Sequence, residues 1–253
     1  MTDSHCHLDH CADPEAAADP TLAAIVSVGT TPARSRATVA LAERFANVFA
    51  AVGIHPTDAG EAQDEAARRE IEALASHPRV VAIGETGVDT YWNAAALELQ
   101  EASLRWQAGL ARRLDKPLIL HVRDKGGRED ASLAAARLIA EAAWPKGVLH
   151  CFNGHPELLG TGLELGWMVS FAGNLTYKNA RALHQAATRI PEARLLVETD
   201  SPFLTPQPRR GERNVPANVR FTAQALAELR GEPPERVEAY TDENAARLYR
   251  FRA

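Results

Sequence analysis

The stretch RVVAIGETGVD at residues 79–89 begins as an unbroken run of apolar residues and ends in polar ones. A continuous apolar run without alternation is typical of a parallel strand that is buried on both faces. Runs of this kind recur along the chain, and with the opening TDSHCHL at residues 2–8 they predict eight strands. The further runs lie at residues 23–30, 47–56, 116–124, 146–154, 166–173 and 193–204.

Helix-forming segments lie between most of the predicted strands. They are rich in Ala, Leu, Glu and Arg, which are strong helix formers. Eight strands that alternate with helices in 253 residues predict a TIM-type (β/α)8 barrel of the α/β class. An open doubly wound sheet is the competing fold, but no G-x-G-x-x-G motif follows an early strand and eight units favour closure. Examples of the helical segments are residues 33–46, 65–77, 96–114 and 130–143.

The last part of the chain departs from this alternation. Residues 205–216, TPQPRRGERNVP, are rich in Pro and Arg and predict an ordered loop after the eighth strand. Two helices are expected after it, at residues 217–230 and 233–251. No low-complexity tract or linker interrupts the sequence, so we expect a single hydrolase barrel domain that spans residues 1–253.

The charge balance limits the kind of partner. The formal net charge is −5 at pH 7 and the pI is near 6.0, which argues against a generally basic surface for nucleic acid. It does not exclude a nuclease, because bound metal ions bring positive charge to a phosphate. A hydrophobic content of 45% suits a globular protein with a large core.

The expected location is the cytoplasm. Three cysteines, Cys6, Cys11 and Cys151, give no disulfide framework and indicate a reducing compartment. No apolar run approaches the length of a membrane span, and acids stand where a signal peptide has a basic and an apolar region. We therefore expect no membrane association and no obligate protein partner.

Polar residues collect where the predicted strands end. Active sites of such barrels lie at the C-terminal ends of the strands, and five of the nine histidines fall there. Buried imidazoles and carboxylates each need a partner, so the concentration predicts a functional site rather than packing. The residues at these ends are His5, His7, His55, Glu85, Asp89, His121, Arg123, His150, Glu198 and Asp200.

These strand ends have the chemistry of a metal centre. His5 and His7 are two residues apart, so in a strand they point to the same side while Cys6 points away. In a closed barrel, strand eight with Asp200 is the neighbour of strand one. The residues divide into His5, His7 and Asp200 on one side and His121 and His150 on the other, with Glu85 placed to bridge them. This pattern predicts two divalent ions about 3.5–4 Å apart, and zinc, manganese and magnesium all stay open.

Each of these residues also has a structural interpretation. A histidine pair of this spacing is a common accident, and His55 before Pro56 can simply end its strand. Arg123 can serve in a structural ion pair, and Asp89 can cap the segment that follows it. The run of Arg209, Arg210 and Arg213 can be a solvated loop or a contact for a polyanion. Only the set as a whole is hard to explain by packing.

Taken together, these motifs resemble the TatD-like metal-dependent deoxyribonucleases of the amidohydrolase superfamily. The similarity is closest to the subgroup that keeps the N-terminal HxH. A last motif at residues 206–216, PQPRRGERNVP, fits the family pattern PxPxRGxxNxP without a gap. The motifs span residues 3–216 in order. They are DSHCHLD, GIHP, IGETGVD, LILHVRD, LHCFNG, ETDSPFL and PQPRRGERNVP.

The resemblance implies a dinuclear divalent site in a TIM-type barrel. Glu85 takes the bridging position that a carboxylated lysine holds in many relatives of the wider superfamily, and no lysine lies in or beside that run. One departure is local, because Thr90 follows Asp89 where the family often has an aromatic residue. The ligands implied by the motifs are His5, His7, Glu85, His121, His150 and Asp200.

The implied reaction is hydrolysis of phosphodiester bonds in DNA by a water that the two ions activate. We expect an exonuclease on single-stranded or frayed ends, in which Asp200 acts as general base and Glu85 takes part through the metal centre. The residues expected to hold the scissile phosphate are His55, Arg123 and Asn153. The aromatic residues that can stack a terminal base are Tyr91, Trp92 and Phe152.

Two other functions stay open at this point. The same centre can attack an ester or an amide, and a D-aminoacyl-tRNA deacylase belongs to that class. The barrel can also act as a metal-dependent binding protein without catalysis. The sequence ranks neither DNA against RNA nor exonuclease against endonuclease activity.

Overall fold

The fold is a parallel barrel, seen in a computed structural model that describes residues 1–92 and 94–251. Within these residues eight strands form one sheet in the order of the chain, and each pairs in parallel with the next. The predicted TIM-type fold is therefore confirmed. The strands are β1 (Thr2–Cys6), β2 (Ala24–Val28), β3 (Val48–Val52), β4 (Val80–Asp89), β5 (Leu118–Arg123), β6 (Gly147–Leu149), β7 (Met168–Phe171) and β8 (Leu195–Val197).

Helices follow the strands as the sequence predicts, and two of them come after the Pro- and Arg-rich loop. No described helix combines the length and the apolar character that crossing a membrane requires. The predicted domain covers residues 1–253, and its last two residues, 252 and 253, lie outside the described residues. The helices are α1 (Pro14–Ala17), α2 (Pro32–Arg44), α3 (Glu65–Ala75), α4 (Leu97–Arg113), α5 (Asp130–Ala142), α6 (Pro156–Glu164), α7 (Arg181–Arg189), α8 (Val219–Arg230) and α9 (Pro234–Tyr249).

Two apolar layers hold the barrel together. Alternate residues of β2 divide between them: Ile25 belongs to the layer between strands and helices, whereas Ala24 and Val26 belong to the cluster that fills the barrel. Tyr249 at the end of α9 joins this inner cluster and donates its hydroxyl to the Ser4 carbonyl at 3.2 Å. One end of the barrel is thus packed with apolar groups, and polar side chains are left for the other.

The sheet nearly closes along a seam between β1 and the segment after β8. The backbone N–H of Asp200 donates to the carbonyl of His5 at 3.0 Å, and that of His7 donates to Ser201 at 2.7 Å. The Ser4 hydroxyl donates to the Val197 carbonyl at 2.9 Å. The seam therefore brings the HxH pair and Asp200 together, as the predicted closure requires.

Candidate metal centre

The imidazoles of His5 and His7 converge inside the barrel mouth. Their Nε2 atoms lie 3.4 Å apart, and both side chains are buried. Nδ1 of His7 lies 2.9 Å from the Val28 carbonyl, which can only accept, so Nδ1 carries a hydrogen and Nε2 is the nitrogen that faces the centre. Cys6 between them is buried in the apolar core, as its place in the strand predicts.

Glu85 lies in the middle of the cluster and uses its two oxygens differently. Oε2 lies 3.5 Å from Nε2 of His5 and 3.5 Å from Nε2 of His7. Oε1 lies 2.8 Å from Nδ1 of His121, 3.4 Å from Nε2 of His150 and 3.6 Å from Nε2 of His55. One carboxylate therefore faces two sets of imidazoles, which is the arrangement of a bridging ligand.

Asp200 completes the set from the loop after β8. Its Oδ1 lies 3.4 Å from Nε2 of His7, 3.8 Å from that of His5 and 3.9 Å from that of His150. The residue has a φ of 55°, a conformation that a non-glycine residue adopts only when its surroundings hold it. Asp3 helps to hold it, because its buried carboxylate accepts the backbone N–H and the hydroxyl of Thr199 at 2.9 and 2.6 Å.

Two further carboxylates orient the histidines. Oε1 of Glu198 lies 2.8 Å from Nδ1 of His150, so that Nε2 of this histidine faces Glu85 and Asp200. Oδ2 of Asp89 lies 3.0 Å from Nε2 of His121, whose Nδ1 then faces Glu85. Carboxylates in these positions fix the ring and its tautomer and raise the basicity of the ligating nitrogen.

The crowding of charged groups shifts their pKa values strongly. Burial alone would lower the pKa of His7, but Asp200 and Glu85 raise it to about 9; for His121, Asp89 and Glu85 overcome the same effect of burial and raise the pKa to about 9. Burial beside His121 lowers the pKa of His55 to about 3. The surrounding imidazoles hold the pKa of Glu85 well below its usual range in spite of burial. At neutral pH Glu85 is therefore ionised and able to bind a cation.

The residues present fit a pair of divalent ions. Nδ1 of His5 and Oε2 of Glu85 are buried without a hydrogen-bond partner. Imidazole nitrogens and carboxylate oxygens that converge on one point provide a donor set for a cation, which binds the imidazoles in their neutral form. Imidazole and carboxylate donors suit zinc, manganese and related ions. Donor atoms within 4.8 Å of one another form three groups, which are His5/His7/Asp200, His5/His150/Glu198 and His55/Glu85/His121.

This grouping differs in part from the one expected from the sequence. His150 stacks on His5 with ring centroids 3.5 Å apart, whereas its ring is 6.2 Å from that of His121. His55, expected to hold phosphate, lies with Glu85 and His121. Its Nδ1 is engaged by Thr57 at 2.7 Å, so Nε2 is the atom that faces Glu85. The assignment of individual ligands stays a prediction.

The cluster opens into a cavity of about 810 Å³. The predicted phosphate-binding residues His55, Arg123 and Asn153 all line it. Asn153 donates to the Ser132 hydroxyl at 2.8 Å, which holds its side chain at the rim. Phe152 corrects one expectation: it is 2% exposed and packs edge-on against Phe171 at 6.3 Å, so it is not available to stack a base.

Three residues, Glu198, Asp3 and Phe203, contribute to the centre although the sequence predicted no specific role for them. Glu198 precedes Asp200 by two residues, and this spacing was the available sign that both face the centre. Asp3 likewise precedes His5 by two residues, but an acidic residue at the start of a strand is equally common on a solvated surface. Phe203 lies with its ring 5.9 Å from that of His7, a contact that depends on the path of the loop.

Comparison with known protein families gives a match across almost the whole chain. The family described as TatD related DNase matches residues 2–250. The uncharacterized metal-dependent hydrolase TatD of Mycobacterium tuberculosis is 39% identical, over 98% of this chain and 97% of the relative. The uncharacterized metal-dependent hydrolase YcfH of Escherichia coli K12 is 36% identical, over 100% of this chain and 97% of the relative.

A third relative has a more specific name. The 3'-5' ssDNA/RNA exonuclease TatD of Cronobacter sakazakii is 38% identical over 87% of this chain and 84% of the relative. Among solved structures, YJJV, a TatD homologue of Escherichia coli, superposes with a TM-score of 0.87 at 29% identity, covering 100% of this chain and 98% of the other. The chain therefore belongs to the family of TatD-related DNases and is a metal-dependent hydrolase.

Proposed function

We propose that the protein hydrolyses phosphodiester bonds of DNA and removes nucleotides from single-stranded or frayed ends, with two divalent ions bound at the candidate centre. The family match and the name of the Cronobacter relative support this substrate class. The observation that carries the proposal is the position of Glu85, whose two oxygens face separate sets of imidazoles while Asp200 lies beside one set. Zinc, manganese and magnesium are the ions to test.

Asp200 acts as the general base. Its carboxylate has a lowered pKa because burial is outweighed by contact with His7 and His150, so it is ionised at neutral pH and able to accept a proton from the attacking water. Two divalent ions, when bound, supply positive charge that polarises the phosphate and lowers the pKa of a nearby water. The proton that Asp200 takes is then available for the leaving oxygen.

The substrate side of the cavity is built from residues that can hold a phosphate. The Arg123 guanidinium is exposed at the rim and offers several N–H donors in a plane. Asn153 offers an amide, and His55, neutral because of its low pKa, offers an imidazole without adding charge. These groups bind the phosphodiester through its oxygens and leave the bases to other contacts.

The test offers the metal-loaded protein a labelled single-stranded oligonucleotide, the matching duplex and an aminoacyl ester. Release of mononucleotides from the single strand, lost in Glu85→Gln and Asp200→Asn, is the expected result. His77→Gln is the matched control, because His77 lies away from the cavity and pairs with Glu43 at 3.2 Å. Ester turnover without nucleotide release would overturn the proposal and favour a deacylase, while activity that survives both site variants would point to a contaminating nuclease.

The expected cytoplasmic location and the absence of an obligate partner stay predictions. The location bears on the substrate, because a cytoplasmic enzyme would meet nucleic acid inside the cell rather than external DNA. Size-exclusion chromatography of the metal-loaded protein, alone and with oligonucleotide, tests whether the chain works without a partner.

A further inference from the structure

Exposed aromatic side chains gather at the mouth of the cavity. Five large apolar side chains of the described residues are exposed, and three of these are aromatic: Tyr91 at 46%, Trp92 at 63% and Phe203 at 51%. Trp92 and Phe203 both line the cavity that contains the metal-ligand candidates. The two aliphatic members, Leu133 and Val215, do not line it. Aromatic rings left in water at one cavity indicate a ligand with flat apolar faces.

The first aromatic group is held rigidly beside one half of the centre. Oδ1 of Asp89 accepts the backbone N–H groups of Tyr91 and Trp92, each at 2.9 Å, while Oδ2 of the same carboxylate contacts His121. The Arg123 guanidinium lies 3.8 Å from the Tyr91 ring centroid and 5.4 Å from that of Trp92. We call Tyr91, Trp92 and Arg123 the Trp92 platform.

The second aromatic group lies beside the other half. The Phe203 ring is 5.9 Å from the ring of His7 and half of its surface still faces solvent. Its backbone is fixed, because its N–H donates to the Asp200 carbonyl at 2.9 Å and its carbonyl accepts from Asn214 at 2.6 Å. The backbone of Phe203 is therefore held next to Asp200, while about half of the side chain has no packing partner.

The chemistry of these two groups complements one class of ligand. Flat rings and a guanidinium plane bind aromatic faces, and the cluster between them is built to hold cations and through them an anion. A phosphodiester that carries a nucleobase on each side has this composition. In a duplex the base faces are covered by neighbouring bases, so only unpaired nucleotides offer both faces for stacking.

We propose that the Trp92 platform and Phe203 stack the two bases that flank the scissile phosphodiester, and that these contacts select unpaired nucleotides of any sequence. The proposal rests on the proposed function and specifies its substrate contacts. Every base has an aromatic face, so stacking tolerates all four. The Trp92 platform holds one base beside Asp89 and His121, and Phe203 holds the other beside His7 and Asp200.

The experiment removes one base at a time from the substrate. Oligonucleotides carry an abasic residue on either side of the scissile bond, and kcat/KM is compared with that of the intact strand. For the wild type we expect a loss of at least about fivefold at each position, which is the lower limit for one stacked base. Trp92→Ala should abolish the loss at one position and Phe203→Ala at the other, whereas Trp92→Phe should retain it.

The doubly abasic strand reports on the chemistry without stacking. Trp92→Ala and Phe203→Ala should lower its cleavage far less than they lower cleavage of the intact strand, and Leu133→Ala, in which an exposed apolar residue of α5 is changed, should behave as wild type on every strand. A binding readout uses Asp200→Asn, in which 2-aminopurine at either position should lose fluorescence on binding. Adding Trp92→Ala or Phe203→Ala should restore the fluorescence at its own position.

The outcomes separate the two proposals. A wild-type enzyme that cleaves intact and abasic strands equally well would overturn the stacking proposal and leave the phosphodiesterase intact. Variants that lower cleavage of intact and abasic strands by the same factor would also overturn it, because the damage would then lie in the centre itself. If the wild type cleaves no oligonucleotide at all, the proposed function fails and the stacking proposal fails with it.

Discussion

Glu198 and His150 form a fixed pair at the barrel mouth. Oε1 of Glu198 lies 2.8 Å from Nδ1 of His150, and the same oxygen accepts the backbone N–H of Cys151 at 2.7 Å. The carboxylate thereby determines both the ring orientation of His150 and the path of the chain that follows it. A residue with no expected role at the level of sequence thus controls how one ligand candidate is presented.

Replacing Glu198 by Ala should weaken metal binding. The His150 ring would lose the carboxylate that lies 2.8 Å from its Nδ1, so we expect metal affinity to fall by about 10- to 100-fold. Competition with a chromophoric chelator measures it. Glu192→Ala is the control, because Glu192 is an exposed glutamate just before β8 that pairs with Arg236 at 2.7 Å. Unchanged affinity in Glu198→Ala would show that the ring needs no such support.

Replacing His5 and His7 together by Gln should remove one of two bound ions. Their Nε2 atoms face each other and Oε2 of Glu85, while Oε1 of Glu85 stays with His121. Elemental analysis after exhaustive dialysis should find about two ions per chain in the wild type and one in the variant. Loss of both ions, or of neither, would contradict the division of the centre into two halves.

Metal binding should release protons. The pKa of His7 and that of His121 are both raised to about 9 in the metal-free protein, so at pH 7 both rings carry a proton that a ligated imidazole must give up. Release approaching two protons per chain is expected at pH 7 and little above pH 9, so affinity rises with pH over this interval. Calorimetry in two buffers of different ionisation enthalpy measures it, and His7→Gln should release about one proton fewer.

The same shifts affect the stability of the metal-free protein. Because the pKa values of His7 and His121 are raised from 6.5 to about 9, protonation of these rings stabilises the metal-free fold fully below pH 6.5. This contribution is lost as the pH rises through about 9. Unfolding of the dialysed protein by denaturant at pH 6 and pH 9.5 should show the decrease, and a flat profile would contradict the direction of the shifts.

Gly87 of β4 should not tolerate a side chain. Its φ is 151°, and a Cβ at this position would overlap the carbonyl oxygen of His121 on the neighbouring strand. Gly87→Ala should therefore lower the free energy of unfolding by about 1–3 kcal/mol and displace His121 from Glu85. Chemical denaturation and metal content measure the two effects. Gly60→Ala is the control, because nothing lies within 4 Å of its added Cβ.

The strands and the ligand candidates could be predicted because they depend on short-range rules. A buried parallel strand has to be continuously apolar, and residues two apart along extended chain share a side. His5 at the end of β1 and His7 directly after it therefore meet, with their Nε2 atoms 3.4 Å apart. Closure of the barrel then makes Asp200 their neighbour. These inferences need only the order of the strands and no knowledge of loop geometry.

The loops were less predictable, because their path depends on packing. Phe152 follows Cys151, which turns the chain at a φ of 41°, and its ring enters the core instead of the cavity. His55 lies three residues beyond β3 and reaches the cluster through the turn that Thr57 stabilises. The sequence pattern does not show whether His55 or His150 lies beside His121, because the two arrangements differ by only a few ångströms.

The seam between β1 and the segment after β8 makes the activity of the enzyme depend on closure of the barrel. It joins Asp3 to Thr199, 196 positions further along the chain, and it is also where His5 and His7 meet Asp200. The ligand set therefore exists only once the first and last strands have met. A chain that is still being synthesised, or whose barrel has opened, holds separated histidines and carboxylates, so hydrolysis begins only when folding is complete.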